Sequence, residues 1–320
     1  MNNKITKKRL NEMLAYDWLK ILAFAVGLIL LWQVVFNVFS VKISTGEQFK
    51  YFYDNGIDAT GNGTLLYVLA EDETFSPFMQ KIESEDLTSN DETFRSRLAV
   101  QDADMIFTSI TDVEGQNRAN VIIDLVDYSV YDFDTLYSDA YAYLATFLKE
   151  EGLDALDYNN LSEEKIENHF SVRLKGDNRF RSSEEIAQGK EWEKARIKKL
   201  CSELSVFGYL LDVGEEKGIF YTYTRFEQTL NSLDESRKEF YNTLYQAEID
   251  GGRQNAKYGI KMEALSGGEY NPQQIAKIGT AVDAKNVILM AFNYLSYQPY
   301  MQFECIFFIN SVVRACSDII

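Results

Sequence analysis

The stretch "RLAVQDADMIFTSI" (Arg97–Ile110) decides how this chain is read. It begins like the end of a helix, crosses Asp102 and Asp104, and turns into the apolar run Met105-Ile106-Phe107. The two aspartates are either a chemical pair or the polar step between a helix and a buried strand. They precede the strand, and in open α/β sheets ligands gather beyond the carboxyl ends of strands, so the amino end is the wrong place for a cleft. Aspartate in such a step hydrogen-bonds nearby backbone amides. Turn and cap chemistry is therefore expected of Asp102 and Asp104.

Working outward, short apolar runs alternate with helical patterns. "TLLYVLA" (Thr64–Ala70) has strand length. "SPFMQKIES" follows, with Ser76 as N-cap and Pro77 at the first helical position. Phe94 and Leu98 in "SNDETFRSRL" share a helix face. "NVIIDLV" (Asn120–Val126) reads as a third strand, and Leu136, Ala140, Tyr143 and Phe147 as a helix stripe. After a charged stretch at 150–182, a long helix opens at Ser183 and carries Ile197, Leu200, Leu204, Phe207 and Leu211 on one face.

"GIFYTY" (Gly218–Tyr223) and "YGIKME" (Tyr258–Glu263) read as strands, with a second long helix between them through Phe226, Leu230, Leu233, Phe240 and Leu244. Asn271-Pro272 opens a short helix through Ile275 and Ile278. "NVILMAF" (Asn286–Phe292) is continuous and apolar, a strand covered on both faces. In the last segment the apolar run Cys305–Val313 is too short to cross a bilayer, so a packed helix is expected. Alternation of this kind predicts an α/β fold with mainly parallel sheet. Two halves separated at 150–182 suggest two lobes around a cleft.

Charge is distributed unevenly over the 320 residues. Residues 1–20 hold Lys4, Lys7, Lys8, Arg9 and Lys20 against Glu12 and Asp17, a net of +3, and the whole chain is −17, which leaves −20 for the remainder. So acidic a chain repels phosphate backbones, which excludes nucleic acid as a partner. Cys201, Cys305 and Cys316 cannot complete a disulfide framework, and with His169 as the single histidine no zinc set forms. Cys305 and Cys316 on one helix would stand ~16 Å apart along its axis, too far to bridge.

Ile21 to Val41 contains no charge and would make a helix of roughly 31 Å, about the hydrocarbon thickness of a bilayer. Trp18 and Trp32 are amphipathic aromatics, Trp18 falls near the cytoplasmic interface, and the basic residues before the span keep the amino end in the cytosol. The run ends in the bulky Val35-Phe36-Asn37-Val38-Phe39-Ser40 rather than the small residues of a cleaved signal peptide. The organisation expected is a basic cytoplasmic tail (1–20), a single membrane span (21–41) and a Gly-rich juxtamembrane stalk (42–63). Lobe one (64–150), a charged linker or insertion (151–182) and lobe two (183–320) follow, all outside the cell.

"ETFRSRLAVQDADMIFTS" (Glu92–Ser109) resembles the segment of extracellular solute-binding proteins of ABC transporters in which a helix ends in "LAAGDADIVF" or a close variant. "TLLYVLA", its acidic loop and "FMQKIES" stand where that family has its first strand and helix, and "IIDLVDYSVYDFDTLYSDAYAYL" (Ile122–Leu144) is similar to its first-lobe surface. The match covers roughly 63–150. Gln101 stands where the family has Gly, and the lipidated Cys of such receptors is missing. The resemblance implies a two-lobed, class II periplasmic-binding-protein-like domain behind the transmembrane helix. It also implies ligand contacts at Glu71 and Glu73 after the first strand and at Thr108 and Ser109 after the second.

Tyr294 and Tyr297, beyond the end of "NVILMAF", join this set as platforms on which a sugar can stack, as do Tyr221 and Tyr223. No phosphate-binding glycine loop occurs, and "LSGGEY" (Leu265–Tyr270) reads as a turn. A His-based triad would depend on His169, which sits in a charged segment. The reading that follows is a membrane-anchored extracytoplasmic binding protein without chemistry or cofactor. Its partners would be a small solute such as a carbohydrate, or transporter permease subunits. The alternative is an envelope protein-interaction module with a degenerate cleft.

Overall fold

The computed structural model describes residues 7–39, 48–54, 56–59, 78–79, 81–87, 96–97, 103–110, 112–113, 116–125, 130–149, 158–173, 179–278, 284–293 and 303–320. They divide into a unit over Met1–Ile43 and a second, compact unit over Ser44–Ile320.

The first unit is one helix, α1 (Lys7–Phe39). Its stretch Trp18–Phe36 is long and apolar enough to cross a membrane, and its side chains are exposed throughout. Nineteen residues span about 28 Å, the width of a hydrocarbon core. An N-terminal helix of this kind suits an anchor or a signal sequence alike.

The second unit is mixed α/β. Its strands are β1 (Gln48–Tyr53), β2 (Ile57–Asp58), β3 (Lys81–Asp86), β4 (Met105–Ser109), β5 (Asp112–Val113), β6 (Gln116–Asn117), β7 (Phe220–Tyr223), β8 (Ala256–Lys261), β9 (Lys277–Ile278) and β10 (Val287–Ala291). Its helices are α2 (Arg118–Ile123), α3 (Phe133–Ala145), α4 (Glu163–Arg173), α5 (Ser183–Glu216), α6 (Glu227–Ser232), α7 (Glu235–Asp250), α8 (Pro272–Ile275) and α9 (Glu304–Cys316). The main sheet has six strands in the order β3-β1-β4-β10-β8-β7, and β2-β9 and β5-β6 form two-stranded ribbons.

Only β3, β1 and β4 run parallel; β10, β8 and β7 each run antiparallel to the strand before them in that order. The mainly parallel sheet expected from the alternation is thus a mixed one. The two-lobed arrangement is not confirmed. β4 from the first half pairs residue for residue with β10 from the second, Met105 opposite Ala291 through Ser109 opposite Val287. Both halves therefore feed one sheet within one compact unit.

Period-2 alternation sorts the sheet's side chains between two cores. Phe49, Tyr51, Met105, Phe107 and Leu289 face α3, α5 and α9. Phe52, Ile106, Ile288 and Met290 face α2 through Ala119, Ile122 and Ile123. With helices on both faces, "NVILMAF" is buried along its whole strand, as its unbroken apolarity predicts. Gly259 in β8 lies under β10 so closely that an added Cβ would meet Ile288 Cγ2 at 2.5 Å and the Leu289 carbonyl oxygen at 2.7 Å.

Several elements differ from the sequence reading, each for a local reason. The expected stalk at 42–63 supplies β1, whose Phe49, Tyr51 and Phe52 are fully buried. Its aromatic alternation outweighs the polar residues between. The helix expected through "FMQKIES" is instead strand β3, laid parallel to β1 from Gln48–Lys81 to Tyr53–Asp86. Opposite charges fit that edge, with Lys50 Nζ 2.6 Å from Glu85. "NVIIDLV" contributes helix α2. Asn117 caps it by accepting from the Asn120 amide, and Ala119, Ile122 and Ile123 bury one face at helical spacing.

The charged stretch at 150–182 holds α4, which packs Ile166 and Phe170 inward. The second long helix breaks at Leu233-Asp234 into α6 and α7, and Phe240 of its expected apolar stripe is exposed. The strand expected at Thr64–Ala70 lies outside the described residues.

Where the reading agrees, the chemistry is explicit. Ser182 and Glu185 form a reciprocal capping box at the start of α5, and all five stripe residues of that helix are buried. In α9 every residue but Arg314 is buried. Cys305 and Cys316 both lie on this helix, and they and Cys201 are buried thiols in no disulfide. The paired glycines of "LSGGEY" turn the chain against α9: Gly267 has φ +93° and bridges Ser317, and Gly268 abuts the backbone of residues 315–317.

Candidate functional site

The parallel strands define where a ligand would be sought. From β1 the chain goes to β3 on one side and returns to β4 on the other, so the switch point lies at the carboxyl ends of β1 and β4. Asp54 ends β1 there. Its amide donates to the Phe107 carbonyl at 3.1 Å, and its carboxylate, 3% exposed, accepts from Arg118 Nε at 2.7 Å. This ion pair fastens the start of α2 to the sheet edge.

Thr108 and Ser109 lie in β4 beside it, both fully buried, opposite Ile288 and Val287. Thr108 Oγ1 has no hydrogen-bond partner among the described residues. The two residues thus sit inside the sheet rather than on an open wall. Glu71, Glu73, Tyr294 and Tyr297 lie outside the described residues.

Asp104 answers the opening question for its part. Its carboxylate accepts from the Lys50 amide at 2.9 Å, its amide donates to the Lys50 carbonyl at 2.7 Å, and its carbonyl accepts from the Phe292 amide at 2.9 Å. It stitches β4 to both neighbours at their ends, which is backbone chemistry. Asp102 lies outside the described residues.

The polar groove that the structure does display is on the other side of α2, over β7 and α6. It has a volume of about 580 Å³ and is lined by Asn120, Tyr221, Thr222, Tyr223, Glu227, Gln228, Asn231 and Ser232. Its floor is a closed net of neutral groups. Tyr221 Oη donates to Asn120 Oδ1 at 2.6 Å, and Asn117 Nδ2 donates to Tyr221 Oη at 3.1 Å. Gln228 Oε1 accepts from Asn120 Nδ2 and from the Asn117 amide, each at 3.1 Å.

Beneath the net, buried Asp124 ends α2 and holds the start of α6. It accepts from the Phe226 amide at 2.5 Å, Thr229 Oγ1 at 2.7 Å and Tyr223 Oη at 3.0 Å. Phe226 has φ 70°, a left-handed conformation that costs a bulky residue about 1–2 kcal/mol, and the Asp124 contacts offset that cost. Arg225 spends its guanidinium on the carbonyls of Ile123 and Leu125.

Burial pushes the Asp124 carboxyl above its ordinary range, and the hydrogen bonds from Thr229, Phe226 and Tyr223 pull it part of the way back. A group raised on folding contributes most where it is protonated, and loses that contribution as pH climbs through its folded-state value. Relative to Asp124→Asn, which does not titrate, the wild-type urea midpoint is expected to fall as pH rises from about 4 to neutrality. A difference between the two proteins that stays flat over that range would show that Asp124 titrates as it does in the unfolded chain.

A second polar cluster joins α3, α5 and α9. Arg196, fully buried, reaches Glu193 Oε2 and Glu304 Oε1, each at 3.1 Å, and donates to Tyr143 Oη at 2.6 Å. Burial opposes the guanidinium charge, but Glu193, Tyr143 and Glu304 together hold its pKa well above the ordinary value. His169 places Nδ1 3.3 Å from Glu193, its only hydrogen-bond partner among the described residues, and it is half-buried against Tyr143 and Phe147. Among the described residues no hydroxyl or thiol hydrogen-bonds to its ring. Burial also pushes the Cys305 and Cys316 thiols up, which keeps them protonated and unreactive.

Of the residues singled out in the sequence, the structure brings Tyr221 and Tyr223 to the groove, and Tyr223 is spent on Asp124. Asn117, Asn120, Gln228 and Asn231 were missed. Asn117 and Asn120 sat in a segment read as loop and strand, where amides are unremarked. Gln228 and Asn231 lay on a helix read as a packing stripe. No protein-family model, curated protein or solved structure matches this chain.

Proposed function

We propose that the chain is a membrane-anchored binding module of the cell envelope, which captures a small polar solute on its folded unit without chemistry. The observation that carries this reading is the open groove over α6, where hydrogen-bonding groups line a concave surface. Preformed concave sites with a few convergent polar groups are where small molecules bind. The apolar helix Trp18–Phe36 supports an anchor, and the basic residues before it support an amino end in the cytoplasm with the folded unit outside.

Kinship with the solute-binding proteins of ABC transporters belongs to the same proposal. The parallel trio β3-β1-β4 supports it in the first half of the unit, whereas the sheet shared between the halves argues for one lobe rather than two.

The test is thermal unfolding of the full chain in lipid nanodiscs against a panel of sugars, oligosaccharides, amino acids and metal ions. A bound solute at a hundred times its dissociation constant adds about 2.7 kcal/mol. An upward shift with one class of solute is the expected result, and no shift with any member overturns the reading.

One feature favours a second reading, an interaction module for a protein partner. The hairpin α6–α7 buries only Glu248 along both helices and leaves Phe240 57% exposed beside Tyr241. A Phe240→Ala change that leaves solute binding intact but abolishes co-purification of an envelope protein would support it.

A further inference from the structure

The groove over α6 has a neighbour. A second groove of about 460 Å³ adjoins it, lined by Leu230, Asn231, Lys238, Glu239 and Asn242, and the two share Asn231. Together they make a track that runs from β7 across α6 towards α7.

The chemistry of the track is mostly uncharged. The Asn117–Asn120–Tyr221–Gln228 net is fixed by its own hydrogen bonds, so its remaining donors and lone pairs point in set directions. Along it, the side chains of Thr222, Glu227, Asn231 and Asn242 make no hydrogen bond among the described residues. The nearby cations are committed elsewhere: Arg225 to two carbonyls, Arg118 to Asp54, and Lys238 to Glu235 at 2.6 Å. Among the described lining residues Lys238 stands against Glu227 and Glu239, a balance that does not favour an anionic chain. Leu230 and the rings of Tyr221 and Tyr223 supply the track's apolar surface, on which the C–H face of a sugar can stack. Amide and carboxylate side chains in a row suit hydroxyl groups, which donate and accept at once.

Building on the binding reading above, we infer that this track takes an uncharged oligosaccharide chain laid across α6, with Asn231 contacting it at the junction of the two grooves. A chain spanning both grooves makes contacts that a single sugar unit cannot, so affinity should grow with length.

The experiment is titration calorimetry on the full chain in nanodiscs with glucose, cellohexaose, maltohexaose and chitohexaose. At least one hexasaccharide is expected to bind, more than about tenfold tighter than the monosaccharide. Asn231→Ala, an exposed position whose change should leave the fold intact, is expected to weaken that binding about tenfold, and Asn242→Ala to weaken the hexasaccharide alone. Hexasaccharide binding that ignores both changes overturns the inference. So does preference for polygalacturonate or for a lysine-rich peptide. If no oligosaccharide binds but another solute of the panel does, this inference fails while the binding reading stands. If nothing binds, both fail.

Discussion

Arg196→Met is expected to destabilise the folded unit by about 3–5 kcal/mol, a large part of the stability of an ordinary domain. The change removes a guanidinium that serves two carboxylates, Glu193 and Glu304, which are 0% and 1% exposed. Left without it, both are buried anions with much of their compensation gone. Neutralising them by proton uptake or exposing them to water each costs folding free energy. The triple change Arg196→Met, Glu193→Leu, Glu304→Leu removes charge and counter-charges together and is expected to recover most of the loss. Urea unfolding of the two variants decides the matter. A single variant within 1 kcal/mol of wild type, on the order of a surface substitution, would mean that the cluster is solvated in solution.

Phe308→Ala is expected to cost about 3–5 kcal/mol through the cavity it leaves. The ring stacks on Phe49 at 5.2 Å and lies 5.5 Å from Tyr51 and 6.2 Å from Phe107, so it joins α9 to both β1 and β4. Phe308→Leu, which keeps most of the volume, should cost clearly less. Equal losses for the two variants, measured by the same unfolding curves, would show that the site collapses around the smaller side chain.

These two positions also show what the sequence discloses and what it hides. The apolar run Cys305–Val313 announces a packed helix because little in it is polar. The Arg196–Glu193–Glu304 contact joins residues 108 apart, and no local pattern records it. β1 was hidden for a different reason: its aromatic side chains alternate with Gln48, Lys50 and Tyr53 in a stretch that opens beside glycines and acids. β3 is held by its neighbour and not by its own propensity, so it reads as a helix until β1 is in place. α2 shows the ambiguity of short apolar runs, since Ile122 and Ile123 fit a strand as well as a helix until Asn117 is recognised as a cap. At the groove, Tyr221 was legible as an exposed aromatic. The amides around it come from 117–120 and 228–231, and only the fold brings them together.

The position of β10 bears on how the polypeptide reaches its native state. The middle of the sheet is filled by residues 287–291, between β4 and β8, and the α9 side of the core closes with residues 304–316. Until those residues leave the ribosome, β4 has one unsatisfied edge and Phe49, Tyr51 and Phe107 lack the cover that α9 gives them. Exposed strand edges and apolar faces are what chaperones bind and what drives clumping of nascent chains. Maturation therefore waits for residues 287–316, and a chain cut short before them should be degraded rather than partly functional.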